Sequence, residues 1–283
     1  PPRSTLFPYT TLFRSNVVAV VSKERFNDII APVYDSLSSV PGEDQLTFDY
    51  LFYLRPKEAV PVEFYSRARV EAIMLHYGIF PGMVGETAFV EALLRREKYF
   101  GVIWQRLSPV QFGGDVLFQH KFPIKESVNP SELLQLCRKA AESSFIALLN
   151  DLMNDTLRPV KVEGVNRVRH DLSLASRIVS WIDFNGKSLE LSALIMALQP
   201  IPGESNLFGM PFLVVRGVAY YITGLTIIST QPTEDYGRFV SIGEGQWGIS
   251  TQDGVVRPNL VGRITIDHLA SLDRKSTRLN SSH

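Results

Sequence analysis

Residues 129–159 constrain this chain more tightly than any other stretch. Asn129 has the short polar side chain favoured at a helix N-cap, Pro130 suits the first helical position, and Glu132 stands where a capping box needs its return acceptor. Leu133, Cys137, Ala140, Ala141, Phe145, Leu148, Leu149 and Leu152 then recur at helical spacing and build a broad apolar stripe, and Pro159 prevents the helix from continuing. The pattern predicts a helix over 130–157. Burying its stripe is worth several kcal/mol at roughly 25 cal/mol per Å2, before ordering entropy is charged against it. Cys137 lies within the stripe, as a packed thiol would.

The remaining segments divide around this helix. Before it, VVAVV at 17–21 and LTFDYLFYL at 46–54 suit strands, and 22–40 reads as a helix interrupted at Pro32. Residues 62–77 place Phe64, Ala68, Val70, Ile73, Met74 and Tyr77 at roughly helical spacing, with Gly78 in a C-terminal position, and 85–100 reads as a second helix. Residues 102–122 look sheet-like, with Val116, Phe118, His120 and Phe122 alternating onto one face. After it, SLELSALIMAL at 188–198 is a short apolar helix, and strands are expected at 212–215 and 218–222 (or one bulged strand over both), and at 225–229, 238–242, 246–250 and 260–266. The expected fold class is therefore mixed α/β or α+β, with a helix-rich α+β region over 16–158 and a strand-rich α/β domain over 159–272.

The two ends stand apart from this patterning. PPRSTLFPYTTLFRS at 1–15 and DRKSTRLNSSH at 273–283 back-translate into strings that resemble the paired adapters of a sequencing library. On that resemblance both segments are artefacts, the native sequence is 16–272, and both natural termini are missing. The full chain balances 29 basic against 29 acidic residues. Without Arg3, Arg14, Arg274, Lys275, Arg278 and Asp273 it becomes mildly acidic, which argues against a general nucleic-acid binder. Its 45% hydrophobic and 20% charged content is globular, and no apolar run is long enough for a membrane span. One cysteine permits no internal disulfide and no cysteine-based zinc cluster, which favours a reducing, cytoplasmic setting.

Candidate chemistry is sparse. N-G-K-S-L-E-L-S-A-L-I-M-A-L at 185–198, a turn opening an apolar helix, and Y-Y-I-T-G-L at 220–225 resemble, over roughly 185–245, the proteolytic domain of Lon-type proteases and its ribosomal-protein-S5-like fold. That resemblance implies Ser188 as nucleophile, but no lysine follows Lys187 before the C-terminal segment, so no base is identified. Ser188 also serves as a simple N-cap. NGKS is not a phosphate loop, because Trp181 stands where the first glycine belongs. His76, His120, His170 and His268 lack metal-binding spacing. Arg167 and Arg169 alternate onto one strand face and could meet an anion or nucleic acid. Phe48, Tyr50, Phe52, Tyr53, Tyr220 and Tyr221 supply aromatic anchors for core packing or for a protein partner. The expectation is a structural or protein-interaction domain without cofactor or metal, with a Lon-type serine hydrolase and weak nucleic-acid binding through Arg167 and Arg169 as alternatives.

Overall fold

The computed structural model describes residues 17–22, 31–42, 44–54, 60–85, 88–110, 112–162, 182–200, 209–232 and 235–264. Both terminal segments, 1–15 and 273–283, lie outside the described residues, as do Arg167, Arg169, His170 and His268.

Two sheets dominate. A short parallel pair, β1 (Val20–Val21) with β2 (Val33–Tyr34), precedes them. The first sheet contains β3 (Phe48–Leu54), β4 (Ala68–Tyr77), β5 (Tyr99–Arg106) and β6 (Val116–Pro123), in spatial order β3-β4-β5-β6. β3 and β4 run parallel, and the other neighbours are antiparallel. Helices α1 (Val62–Tyr65), α2 (Ala88–Leu94) and α3 (Pro130–Met153) belong to this half. The second half has α4 (Ser188–Ala197) and an antiparallel sheet of β7 (Phe212–Val215), β8 (Val218–Ser229), β9 (Phe239–Gly243), β10 (Gln246–Thr251) and β11 (Gly254–Ile264), in order β7-β8-β11-β10-β9.

α3 starts as its sequence dictates. The Asn129 side chain accepts from the Glu132 backbone N–H, and the Glu132 carboxylate accepts from the Asn129 backbone N–H, at 2.9 and 3.1 Å. Its buried residues Leu133, Cys137, Ala140 and Leu148 join Ile73, Leu75, Phe100, Val102, Trp104 and Leu117 from one face of the first sheet. The Trp104 indole N–H donates to Ser144 Oγ at 2.8 Å, so this large ring is buried without an orphaned donor. Phe52 meets both Phe145 and Trp104 edge to face.

The expectation of a helix-rich N-terminal region is corrected. Only Val62–Tyr65 of the 62–77 segment is helical, and Ala68–Tyr77 is a strand at the centre of the sheet. Residues 72–76 of β4 are all buried. A strand covered on both faces has no polar face, so the two-residue alternation disappears and its apolar run mimics helical spacing. The helix expected over 85–100 shortens to Ala88–Leu94, because Tyr99 and Phe100 begin β5. Within 31–42, the helix expected over 22–40 is replaced by the strand Val33–Tyr34 and a single 3-10 turn at Leu37–Ser39.

In the second half, α4 packs on the sheet through Leu191, Ile195 and Leu198, which bury against Leu213, Ile222, Ile249 and Val256. β8 is one continuous strand rather than two. The halves touch through helices: Leu94 of α2 reaches the second core, and Ala197 of α4 is buried in the first.

Candidate functional site

Alternate residues of β4 and β5 divide between two faces of the first sheet. Leu75 and Trp104 join the α3 core, while Met74, His76, Ile103 and Gln105 point the other way, in register as Met74 with Gln105 and His76 with Ile103. His76 and Gln105 are diagonal neighbours on that second face, close enough for their long side chains to meet. His76 Nε2 lies 2.9 Å from Gln105 Oε1, and both residues are buried.

Gln105 is itself held. Its amide nitrogen donates to the Phe112 carbonyl at 2.9 Å and the Gly114 carbonyl at 2.6 Å. With both N–H groups spent on carbonyls, the oxygen is the atom left for His76. Nδ1 of His76 is buried with no hydrogen-bond partner among the described residues. The Phe112 ring covers the imidazole at 5.0 Å between centroids. Burial is the main cause that lowers the His76 pKa to about 4, and the Gln105 hydrogen bond only partly offsets it. The ring is therefore neutral at physiological pH.

Two loops frame this face. The chain leaves β4 at Gly78, where a Cβ would collide with the Met83 carbonyl, so the return between Ile79 and Met83 requires glycine. The Phe80 N–H donates to Gln119 Oε1 on β6 at 2.6 Å. The loop after β5 closes where Gly114 passes against the Arg106 carbonyl, again without room for a Cβ. Its base is clamped by Arg106. That guanidinium meets Glu71 through Nε at 2.9 Å and Nη2 at 2.7 Å, and Asp115 through Nη1 at 2.9 Å. The bond to Glu71 is the main cause that raises the Arg106 pKa above its ordinary value.

Ser188, the residue the Lon-type resemblance singled out, sits elsewhere. It is the buried first residue of α4. Its backbone N–H and its hydroxyl both donate to Asp253 Oδ1 at 2.7 Å, and the hydroxyl also lies 2.8 Å from Thr251 Oγ1. Thr251 donates to the same carboxylate oxygen at 3.1 Å. The bonds from the Ser188 backbone and then its side chain hold the Asp253 carboxyl below its ordinary pKa. The carboxylate thus caps α4 from the β10–β11 turn, while Lys187 at the N-cap position makes no side-chain cap bond.

His120 is half-buried opposite Val102, and Cys137 is buried within the α3 core. Of the polar residues gathered here, the sequence drew attention to His76 only to note its lack of metal spacing. Gln105, Phe112, Arg106, Glu71 and Asp115 were not anticipated. The one available signal was a histidine and a glutamine at the ends of apolar runs, in IMLHY and VIWQR.

No family model matches the chain. A methionyl-tRNA formyltransferase of Azobacteroides pseudotrichonymphae genomovar. CFP2 is 24% identical over 192 residues, which is 65% of this chain and 57% of that protein. The chain thus spans little more than half of that curated relative. Among solved structures, the sugar 3N-formyltransferase WlaRD, determined in the presence of dTDP and 5-N-formyl-THF, has a TM-score of 0.56 at 19% identity, covering 84% of this chain and 80% of WlaRD. The N-formyltransferase of Helicobacter canadensis, in complex with folinic acid and dTDP-3-aminofucose, has a TM-score of 0.55 at 18% identity, over 81% of this chain and 79% of that one. HypX of Aquifex aeolicus, in complex with tetrahydrofolic acid, follows with a TM-score of 0.52 at 14% identity, over 80% and 39%.

At these identities the structures establish the fold, which is that of the formyltransferases. The sequence-based recognition is corrected accordingly: the likeness that spans most of the chain is neither to the Lon-type proteolytic domain nor to adapter sequence. The expectations of a non-catalytic interaction domain and of a Lon-type hydrolase are overturned with it, because the named relatives in sequence and fold include formyl-transferring enzymes, while Arg167 and Arg169 lie outside the described residues. Among the described residues no helix is long and apolar enough to cross a membrane.

Proposed function

We propose that this chain transfers a formyl group from a formylated reduced folate to an amine. The observation that carries the proposal is the fold shared with two N-formyltransferases solved with formylated folates, over 84% and 81% of this chain. The reaction joins the amine nitrogen to the formyl carbon, breaks the bond from that carbon to the folate nitrogen, and returns the amine proton to the folate nitrogen. The main tasks for the protein are to align two substrates and to support charge as the carbonyl becomes tetrahedral.

His76 is the residue proposed to meet the acceptor. Its Nδ1 lone pair is unspent, and the ring is held from behind by Gln105. With a pKa of about 4, storing a full proton on this imidazole at pH 7 costs about 4 kcal/mol. Its contribution is therefore to orient an amine N–H by accepting its hydrogen bond, rather than to hold the proton.

The acceptor proposed is an amine on a nucleotide-linked sugar. The sugar enzymes are matched over most of their own length, 80% and 79%, and a formal net charge of zero gives no overall attraction to transfer RNA. The setting proposed is the reducing cytoplasm, on the single thiol of Cys137. Incubating the chain with a formylated folate and dTDP-linked amino sugars, and following formylated sugar by mass, tests this. Product that requires His76 supports the proposal. Formylation of methionyl-tRNA alone would reassign the acceptor, and no product with either would reject formyl transfer.

A further inference from the structure

We infer that Gln105 is a positioning residue that fixes His76 as its Nε2–H tautomer and so keeps Nδ1 as the lone pair that takes an N–H of the incoming amine. The identity of that amine rests on the formyl-transfer reading, whereas the tautomer lock does not.

A neutral imidazole has one N–H and one lone pair, and what decides between them is the partner each nitrogen finds. Nε2 faces a side-chain amide that could in principle present either end. The orientation of that amide is settled one step further out, because its nitrogen lies against two backbone carbonyls, Phe112 O and Gly114 O. A reversed amide would set its oxygen against both carbonyls and lose both hydrogen bonds. The oxygen therefore faces His76, Nε2 must donate, and Nδ1 is left as the acceptor. Those carbonyls are held in place independently, since Gly114 is wedged against Arg106 and the Arg106 guanidinium ties Glu71 to Asp115 at the base of the loop. The chain of constraint runs from the clamp to the loop carbonyls, to Gln105, to His76. The same loop lays the Phe112 ring over the imidazole, so one segment both covers the ring and sets its tautomer.

The test is a long-range proton–nitrogen NMR spectrum of the whole chain with 15N-labelled histidine at neutral pH. His76 is assigned by the signals lost in His76→Gln. The expected wild-type spectrum has a pyridine-like Nδ1 and a pyrrole-like Nε2. In Gln105→Met, which keeps the length and removes the amide, both signals move toward an average of the two tautomers. There kcat for formyl transfer falls by about 10-fold or more while KM for the folate is unchanged. A wild-type His76 protonated on Nδ1, or an unmoved tautomer in a folded Gln105→Met, would overturn the inference. If Gln105→Met does not fold, the wild-type tautomer alone decides. A chain that shows the expected tautomer yet transfers no formyl group refutes the proposed reaction and leaves the lock standing.

Discussion

The pair His76–Gln105 in the first half and the pair Ser188–Asp253 in the second are both polar contacts at the ends of regular elements, and they differ in what they leave unused. Around Asp253, one carboxylate oxygen collects the Ser188 N–H, the Ser188 hydroxyl and the Thr251 hydroxyl. Every donor there is turned inward, and the result is a capped helix. Around Gln105 the amide is likewise saturated, but the saturation stops at His76, whose Nδ1 is bonded to nothing among the described residues. A buried group without a partner carries a desolvation cost that packing must offset. The comparison teaches that hydrogen-bond density does not mark a site in this molecule. The proposed site is distinguished instead by the unspent lone pair of His76, although Tyr65 Oη and Arg67 Nε are also buried without a partner among the described residues.

The largest effect should separate the two pairs by activity. His76→Ala is expected to lower kcat/KM for formyl transfer by about 100-fold or more, while Ser188→Ala leaves it unchanged. The reverse result in steady-state assays would invert the comparison.

The next effect is in pH. The folded pKa of His76 is lowered from 6.5 to about 4, so the unfolded chain binds the proton more readily. Its contribution to stability is complete above about pH 6.5 and is lost as pH falls through that value toward 4. The loss is about 3 kcal/mol. Denaturant melts at pH 7 and 4.5 should show it, and His76→Leu should flatten it. An equal slope in the variant would mean that other groups set the acid sensitivity.

Asp253 has the smallest effect, in a lower window. Its depressed pKa gives stability present above the ordinary carboxylate range and lost as pH falls below it. Asp253→Ala is expected to cost about 1 kcal/mol, the worth of a helix cap, with activity intact. A loss of activity in a stably folded Asp253→Ala would show that the second half contributes more than support.

What the sequence revealed follows the range of the physics involved. The start of α3 was readable because a capping box and an apolar stripe are local signals, and both Asn129–Glu132 bonds are where they were expected, but the helix ends at Met153 rather than at the expected 157. α4 was placed at 188–198 and is found at Ser188–Ala197. β4 was not readable, because burial on both faces erased the alternation that distinguishes strand from helix. The site was unreadable for a related reason. Gln105 reaches His76 across 29 residues of sequence, through a strand register that no local pattern encodes. Ser188 was the reverse case: its neighbourhood looked like chemistry, and the Asp253 carboxylate that accepts its hydrogen bonds and caps the helix lies 65 residues away.

The central claim is that the unspent nitrogen of His76 serves formyl transfer. The most direct measurement is single-turnover formylation of a dTDP-linked amino sugar from a formylated reduced folate, comparing the wild-type chain with His76→Ala at saturating folate. The account predicts formylated sugar from the wild type and a rate about 100-fold lower from the variant, with folate binding retained in both. Equal rates in the two proteins, or no formylated product from the wild type with folate bound, would contradict it.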